Sequence, residues 1–144
     1  MTADHMGLED PSVSGVRPNR AMVRRALRVA QHRLANTSPQ ALDAREYWQA
    51  AVDSLRWSLG ETVHSPLKER EIRVDLEASR RAVGEEAAHA YECMKGNARP
   101  PAHVETMGYL RGVENTLHWV TLGSGFGDSL SAESLRLAGI TDEG

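Results

Sequence analysis

The sequence predicts an all-α protein: a four-helix bundle made of two helical hairpins, preceded by a tail and followed by a short helix. Three observations predict it. Apolar residues recur at helical spacing in four stretches, each bounded by helix-breaking or capping residues. Alanine, leucine, glutamate and arginine, all good helix formers, dominate the middle of the chain. Aromatic residues make up only 5% of the chain, fewer than a β-sandwich or barrel wants. At 144 residues, 40% of them hydrophobic, one domain with a real core is expected over residues 17–122.

Residues 1–16 show no periodicity and read as a flexible tail. The first helix follows Pro18, with Asn19 as N-cap and Val23, Leu27, Ala30 and Leu34 as its buried stripe. Asn36-Thr37-Ser38 ends it. Ser38-Pro39 then opens the second helix, because a first-position proline lacks only an N–H that has no partner there. Its stripe is Ala44, Trp48, Ala51 with Val52, Leu55 and Leu59, and Gly60 closes it in a left-handed turn.

A second Ser-Pro, Ser65-Pro66, opens a third helix expected to reach Lys95. Ile72, Leu76, Val83, Ala87, Ala90 and Met94 keep its period, with Ser79 as a gap. Glu69 to Arg73 and Glu77 to Arg81 are favourable i, i+4 pairs on it. Residues 72–77 also alternate with period two, as a strand does; no partner strand is visible, so helix is preferred. Gly84 is a place for a kink or a split. After the stiff stretch 97–101, the fourth helix carries Val104, Met107, Leu110, Val113, Leu117 and Val120, and ends at Gly123. Residues 123–144 form a Gly-rich linker and a short helix that Ser131 caps, with Leu135 and Leu137 on it.

The second and fourth helices echo one another. Residues 47–57 lie over residues 109–119 without a gap: Tyr47 on Tyr109, Ala50 on Gly112, Asp53 on Asn115, Leu55 on Leu117, Trp57 on Trp119. Either the chain holds an internal duplication of hairpins, or two amphipathic helices match by chance. Gly108 and Gly112, four apart, allow another backbone to come close and are candidates for an interface between subunits. The stretch Gly112-Val113-Glu114-Asn115-Thr116-Leu117-His118-Trp119-Val120-Thr121-Leu122-Gly123 resembles helix ends in small uncharacterised helical proteins of high-GC bacteria and their phages. The resemblance implies a phage or mobile-element setting and carries over no functional residue.

Charge is the sharpest local feature. Residues 17–36 hold six arginines and no acid, a local +6 in a chain of net −3, which leaves −9 elsewhere. Arg20, Arg24 and Arg28 are four apart on one helical face, with Arg17 just before them and Arg25 beside them. Such a ridge fits carboxylate or phosphate oxygens. The competing reading is a solvated face, or one paired with the acids of the third helix or of a second subunit. Arginine outnumbers lysine 15 to 2, which reads first as GC-rich codon usage.

Other chemistry has little support. Glu86 and His89 form a Glu-x-x-His step of the kind used in carboxylate-bridged metal bundles, but only half of the pattern is present, so they stand as a fallback metal pair. Cys93, the one cysteine, has no histidine paired with it by any sequence cue and excludes an internal disulfide. No catalytic residue and no cofactor is expected. There is no apolar run long enough for a membrane span and no signal-peptide stretch, which points to a cytoplasmic protein. The expected function is a non-enzymatic interaction or assembly protein, self-associating or binding another protein. A nucleic-acid-binding accessory protein using the same arginines is the alternative.

Overall fold

The computed structural model describes residues 17–68, 70–76 and 78–123. It contains four helices, α1 (Arg20–Ala35), α2 (Leu42–Ser58), α3 (Arg80–Met94) and α4 (Met107–Leu122), packed as an all-α bundle. The tail over residues 1–16, the linker and short helix expected over 124–144, and the pairs drawn from Glu69 and Glu77 lie outside the described residues. Among the described residues no helix is long and apolar enough to cross a membrane.

The capping signals work as their chemistry dictates. Asn19 Oδ1 accepts the Met22 N–H at 2.9 Å and opens α1. Gly60 and Gly123 close α2 and α4 with φ of 77° each, a conformation that a side chain opposes. Most of the apolar stripes bury: Val23, Leu27 and Ala30 on α1, Ala51, Val52 and Leu55 on α2, Val83, Ala87 and Ala90 on α3; Ala44 and Met107, expected in the stripes of α2 and α4, sit in the first turns of those helices and are exposed.

The two Ser-Pro dipeptides behave differently from expectation. Both close turns instead of opening helices directly. The Ala41 N–H donates to the Ser38 carbonyl at 3.0 Å, and the Lys68 N–H donates to the Ser65 carbonyl at 2.8 Å. A proline's fixed φ suits the second position of such a turn as well as the first position of a helix. After Ala41 a helix follows at once. After Lys68, whose φ is 59°, it does not. The third helix therefore begins at Arg80 and not at Ser65, and Gly84 sits inside it without interrupting it. Residues 61–68 and 70–76 run as an irregular strap with one isolated bridge among the described residues, His64 to Glu71. Over residues 73–76 it alternates: Val74 and Leu76 are buried, while Arg73 and Asp75 face out; Ile72, which both the helical and the period-two readings put inside, is 42% exposed. Arg73, expected to pair along a helix, donates to the Gly60 carbonyl instead.

Helix order across the bundle is α1, α2, α4, α3, so the two hairpins meet through their second helices. α2 and α4 run parallel: Gly108 faces Asp43, and Gly112, one turn on, faces Tyr47. Here the sequence echo has a geometric counterpart. Tyr109 Oη donates to Asp53 at 2.7 Å, and Asn115 Nδ2 donates to Tyr47 Oη at 3.2 Å. Tyr47 matches Tyr109 and Asp53 matches Asn115 in the echo, so the two bonds are reciprocal. Reciprocal contacts are the signature of a two-fold relation. Ala50 and Gly112, also matched, meet each other, as residues on the axis must. Trp57 and Trp119 are both fully buried. Because α4 lies between α2 and α3, it is buried on more than one face, including Gly108, Tyr109, Thr116 and Thr121.

Candidate functional site

The buried side of α1, from Val23 through Ala30, packs on α2 and turns its arginines outward. Arg20, Arg24 and Arg28 are exposed; Arg17 and Arg25 are half-buried. At a rise of about 1.5 Å per residue, successive members of the row stand about 6 Å apart. The row divides into two parts. Arg17 Nη2 donates to the Leu76 carbonyl at 3.0 Å and Arg20 Nη1 to the Leu59 carbonyl at 3.4 Å, so these two fasten the end of the bundle. Arg24, Arg25 and Arg28 have no carboxylate within ion-pair distance among the described residues. Arg33 lies apart from the row, 5.8 Å over the Trp48 ring.

The acids of α3 that the sequence offered as partners for this ridge are used elsewhere. Glu86 is fully buried (0% exposed). Its Oε2 accepts the Leu67 N–H at 2.7 Å and its Oε1 accepts Arg70 Nη1 at 2.9 Å. Arg70 also reaches Glu85 at 3.3 Å. Both oxygens of Glu86 thus anchor the strap, through Arg70 and the Leu67 N–H, so of the fallback metal pair Glu86 and His89 the carboxylate is taken up by a structural ion pair with Arg70. Among the described residues no three His, Cys, Asp or Glu side chains gather as a metal site. Cys93 is buried and forms no disulfide.

Gly108 and Gly112, expected at a contact between subunits, are filled from within the same chain. A Cβ at Gly112 would stand 2.8 Å from the Ala50 Cβ and closer still to the Tyr47 carbonyl oxygen; one at Gly108 would run into the Asp43 backbone. The close approach was legible, but the helix making it is α2.

Several polar residues that sequence reasoning passed over organise this seam. Asp43 Oδ1 accepts the Gly108 N–H at 2.7 Å, and Glu46 Oε1 accepts both the Thr106 N–H at 2.8 Å and its hydroxyl at 2.9 Å. Carboxylates from α2 thereby satisfy and charge-match the N-terminus of α4. Arg111 completes the arrangement at 3.0 Å from Asp43. Its hydrogen bond, helped by the Gly108 N–H, holds the Asp43 carboxyl below its ordinary value. Burial, with Asp53 adding to it, holds the Tyr109 phenol protonated well above its ordinary range. Asp53 also accepts from Gln49 at 3.0 Å. The only sequence signal for this network was the Tyr and Asp/Asn match in the echo.

Two of the surface hollows lie beside these elements. A polar recess of about 240 Å³ lies among Asp53, Arg56, Thr62, His64, Lys68 and Tyr109. A larger, mostly apolar groove of about 650 Å³ lies between α3 and α4. No family model, curated protein or solved structure matches the chain.

Proposed function

We propose that this chain is a non-enzymatic interaction protein whose exposed α1 face docks on an acidic protein surface. The observation that carries the reading is the Arg24–Arg28 pair. Two guanidinium groups stand exposed one turn apart, and no carboxylate among the described residues reaches either. Each offers a planar fork of donors matched to a carboxylate. The apolar side of α1 is committed to the core, so association through this face is electrostatic and weakens with salt. A second copy of the chain, with −9 outside residues 17–36, meets the description of an acidic partner as well as a different protein does.

Nucleic acid is the second reading, favoured by the regular one-turn spacing of Arg20, Arg24 and Arg28, which suits a run of phosphates. The net negative charge and the 5% aromatic content count against it.

Fluorescence anisotropy at low salt, with a labelled glutamate-rich peptide and a labelled DNA duplex titrated in parallel, tests both. The expected result is peptide binding that added salt abolishes and that Arg24→Ala with Arg28→Ala weakens roughly tenfold. Tighter binding to DNA, with a steep salt slope removed by the same double substitution, selects the second reading. Binding to neither probe, from a chain that sediments as a monomer at all concentrations, removes both.

A further inference from the structure

We propose that the polar recess between α2 and the strap binds the phosphate group of a small molecule. Arg56, Thr62 and Lys68 are the residues that take it, and Asp53, His64 and Tyr109 are the other polar side chains of the wall that bear on it. At about 240 Å³ the recess falls below the range of about 300–1,000 Å³ usual for drug-sized ligands, so it suits a compact one.

Lys68 is a backbone outlier. Among the described residues it alone combines a side chain with a positive φ, 59°. That region crowds the Cβ against the carbonyl oxygen that follows, and a glycine would enter it freely. The turn that imposes it is fastened from several sides. The Lys68 N–H donates to the Ser65 carbonyl at 2.8 Å, and the Leu67 N–H beside it donates to the buried Glu86 carboxylate at 2.7 Å. The Pro66 carbonyl lies 2.9 Å from His103 Nε2 and 3.2 Å from Tyr109 Oη. All this bonding fixes in place an exposed ammonium that has no carboxylate within ion-pair distance among the described residues. Residues over-determined in strained backbone cluster at ligand clamps and active sites.

The rest of the recess supplies complementary chemistry. Arg56, from α2, is exposed and also has no carboxylate within ion-pair distance among the described residues. Its planar fork and the Lys68 point charge are the two cationic means of holding phosphate. Thr62 Oγ1 accepts the His64 N–H at 3.2 Å, which leaves its own proton to donate. A fork, an ammonium and a hydroxyl suit the several oxygens of a tetrahedral phosphate better than the two of a planar carboxylate. His64 is taken up by Glu71, 3.3 Å from its Nδ1. Asp53 is the one acid of the wall, so two cations face one anion. Its Oδ2 accepts Tyr109 Oη at 2.7 Å and its Oδ1 accepts Gln49 at 3.0 Å. A carboxylate has about four acceptor sites, and those left over suit a hydroxyl, on the phosphate itself or on the molecule that bears it.

Two-dimensional NMR titration of the labelled full chain with inorganic phosphate, and separately with glycerol phosphate, tests the proposal. Ionic strength is held constant with chloride, because screening alone moves exposed charges. Amide shifts at Arg56, Thr62, His64 and Lys68 should saturate with a Kd of about 1 mM or below. They should persist in Arg24→Ala with Arg28→Ala, which separates this site from the α1 face. Lys68→Gly should weaken binding roughly tenfold without lowering the melting temperature, since it removes the ammonium and relaxes the backbone together. Arg56→Ala, at an exposed position, should weaken it by a similar factor. Tighter binding of glycerol phosphate selects an ester as the ligand, and equal affinity selects the free ion. The absence of a saturating shift overturns the proposal, as does binding that Lys68→Gly and Arg56→Ala both leave intact. Binding lost in Arg24→Ala with Arg28→Ala overturns it too, by moving the phosphate to α1.

Discussion

Three glycines lie inside helices of this bundle, and the same substitution should change stability in opposite directions among them. At Gly84 an added methyl meets open space, so Gly84→Ala gains helix propensity alone and should stabilise by about 0.5–1 kcal/mol. At Gly112 the methyl would sit 2.8 Å from the Ala50 Cβ and closer to the Tyr47 carbonyl, where ordinary contacts begin near 3.4 Å. The obstacle is helix backbone, which cannot swing aside. α2 and α4 must separate by several tenths of an ångström along the seam that also carries the reciprocal tyrosine bonds. Overpacking of this kind costs about 1–3 kcal/mol, so after the propensity gain Gly112→Ala should lose about 1–2 kcal/mol. Gly108→Ala should lose at least as much, since its methyl runs into Asp43 and displaces the carboxylate that caps α4. Equilibrium urea unfolding of the three variants and the parent, compared at constant m-value, reads these differences directly. A Gly112→Ala variant as stable as Gly84→Ala would refute the parallel α2–α4 contact.

Other consequences follow from the same contacts. Glu86→Ala removes the buried anchor of the strap, leaves the Leu67 N–H without its acceptor and Arg70 with Glu85 alone, and should cost about 3 kcal/mol by urea unfolding. An unchanged midpoint would mean that the strap is not fastened there. Asp43, with its folded pKa depressed by Arg111 and the Gly108 N–H, contributes stability that is complete above its unfolded pKa and lost as pH falls through the folded one. The acid limb of a stability profile should therefore flatten in Asp43→Asn. Tyr109, with its folded pKa raised by burial and Asp53, contributes stability that is present below the unfolded value and lost as pH climbs beyond it. Tyr109→Phe should cost about 1 kcal/mol at neutral pH and remove part of the alkaline loss, both measurable by denaturant titration across pH.

What the sequence conveyed well was local. Asn19, Gly60 and Gly123 mark helix ends by chemistry that acts within a few residues, and the stripes of α1 and α2 follow from a period that needs no knowledge of the partner. The Ser-Pro dipeptides failed as helix starts because a proline's φ serves a turn equally well; Lys68 in the left-handed region, which decides the matter, leaves no trace in residue type. The alternation held for residues 73–76 and not for Ile72, because an irregular strap has no partner strand to enforce it. Gly108 and Gly112 announced a close approach without naming the helix that makes it. The reciprocal bonds of Tyr47 and Tyr109 turned an equivocal echo into a two-fold relation, because matched residues that contact one another crosswise are a statement about space. The arginine row was legible as a row; that Arg17 and Arg20 are drawn onto backbone carbonyls while Arg24 and Arg28 stay outward depends on where α2 and the strap end.

The most direct measurement is a two-dimensional NMR titration of the isotope-labelled full chain with an acidic peptide at low salt. The account predicts shifts concentrated on the outward face of α1, at Arg20, Arg24, Arg25 and Arg28, that fade as salt is added. Shifts centred on any other face, with α1 silent, would contradict it.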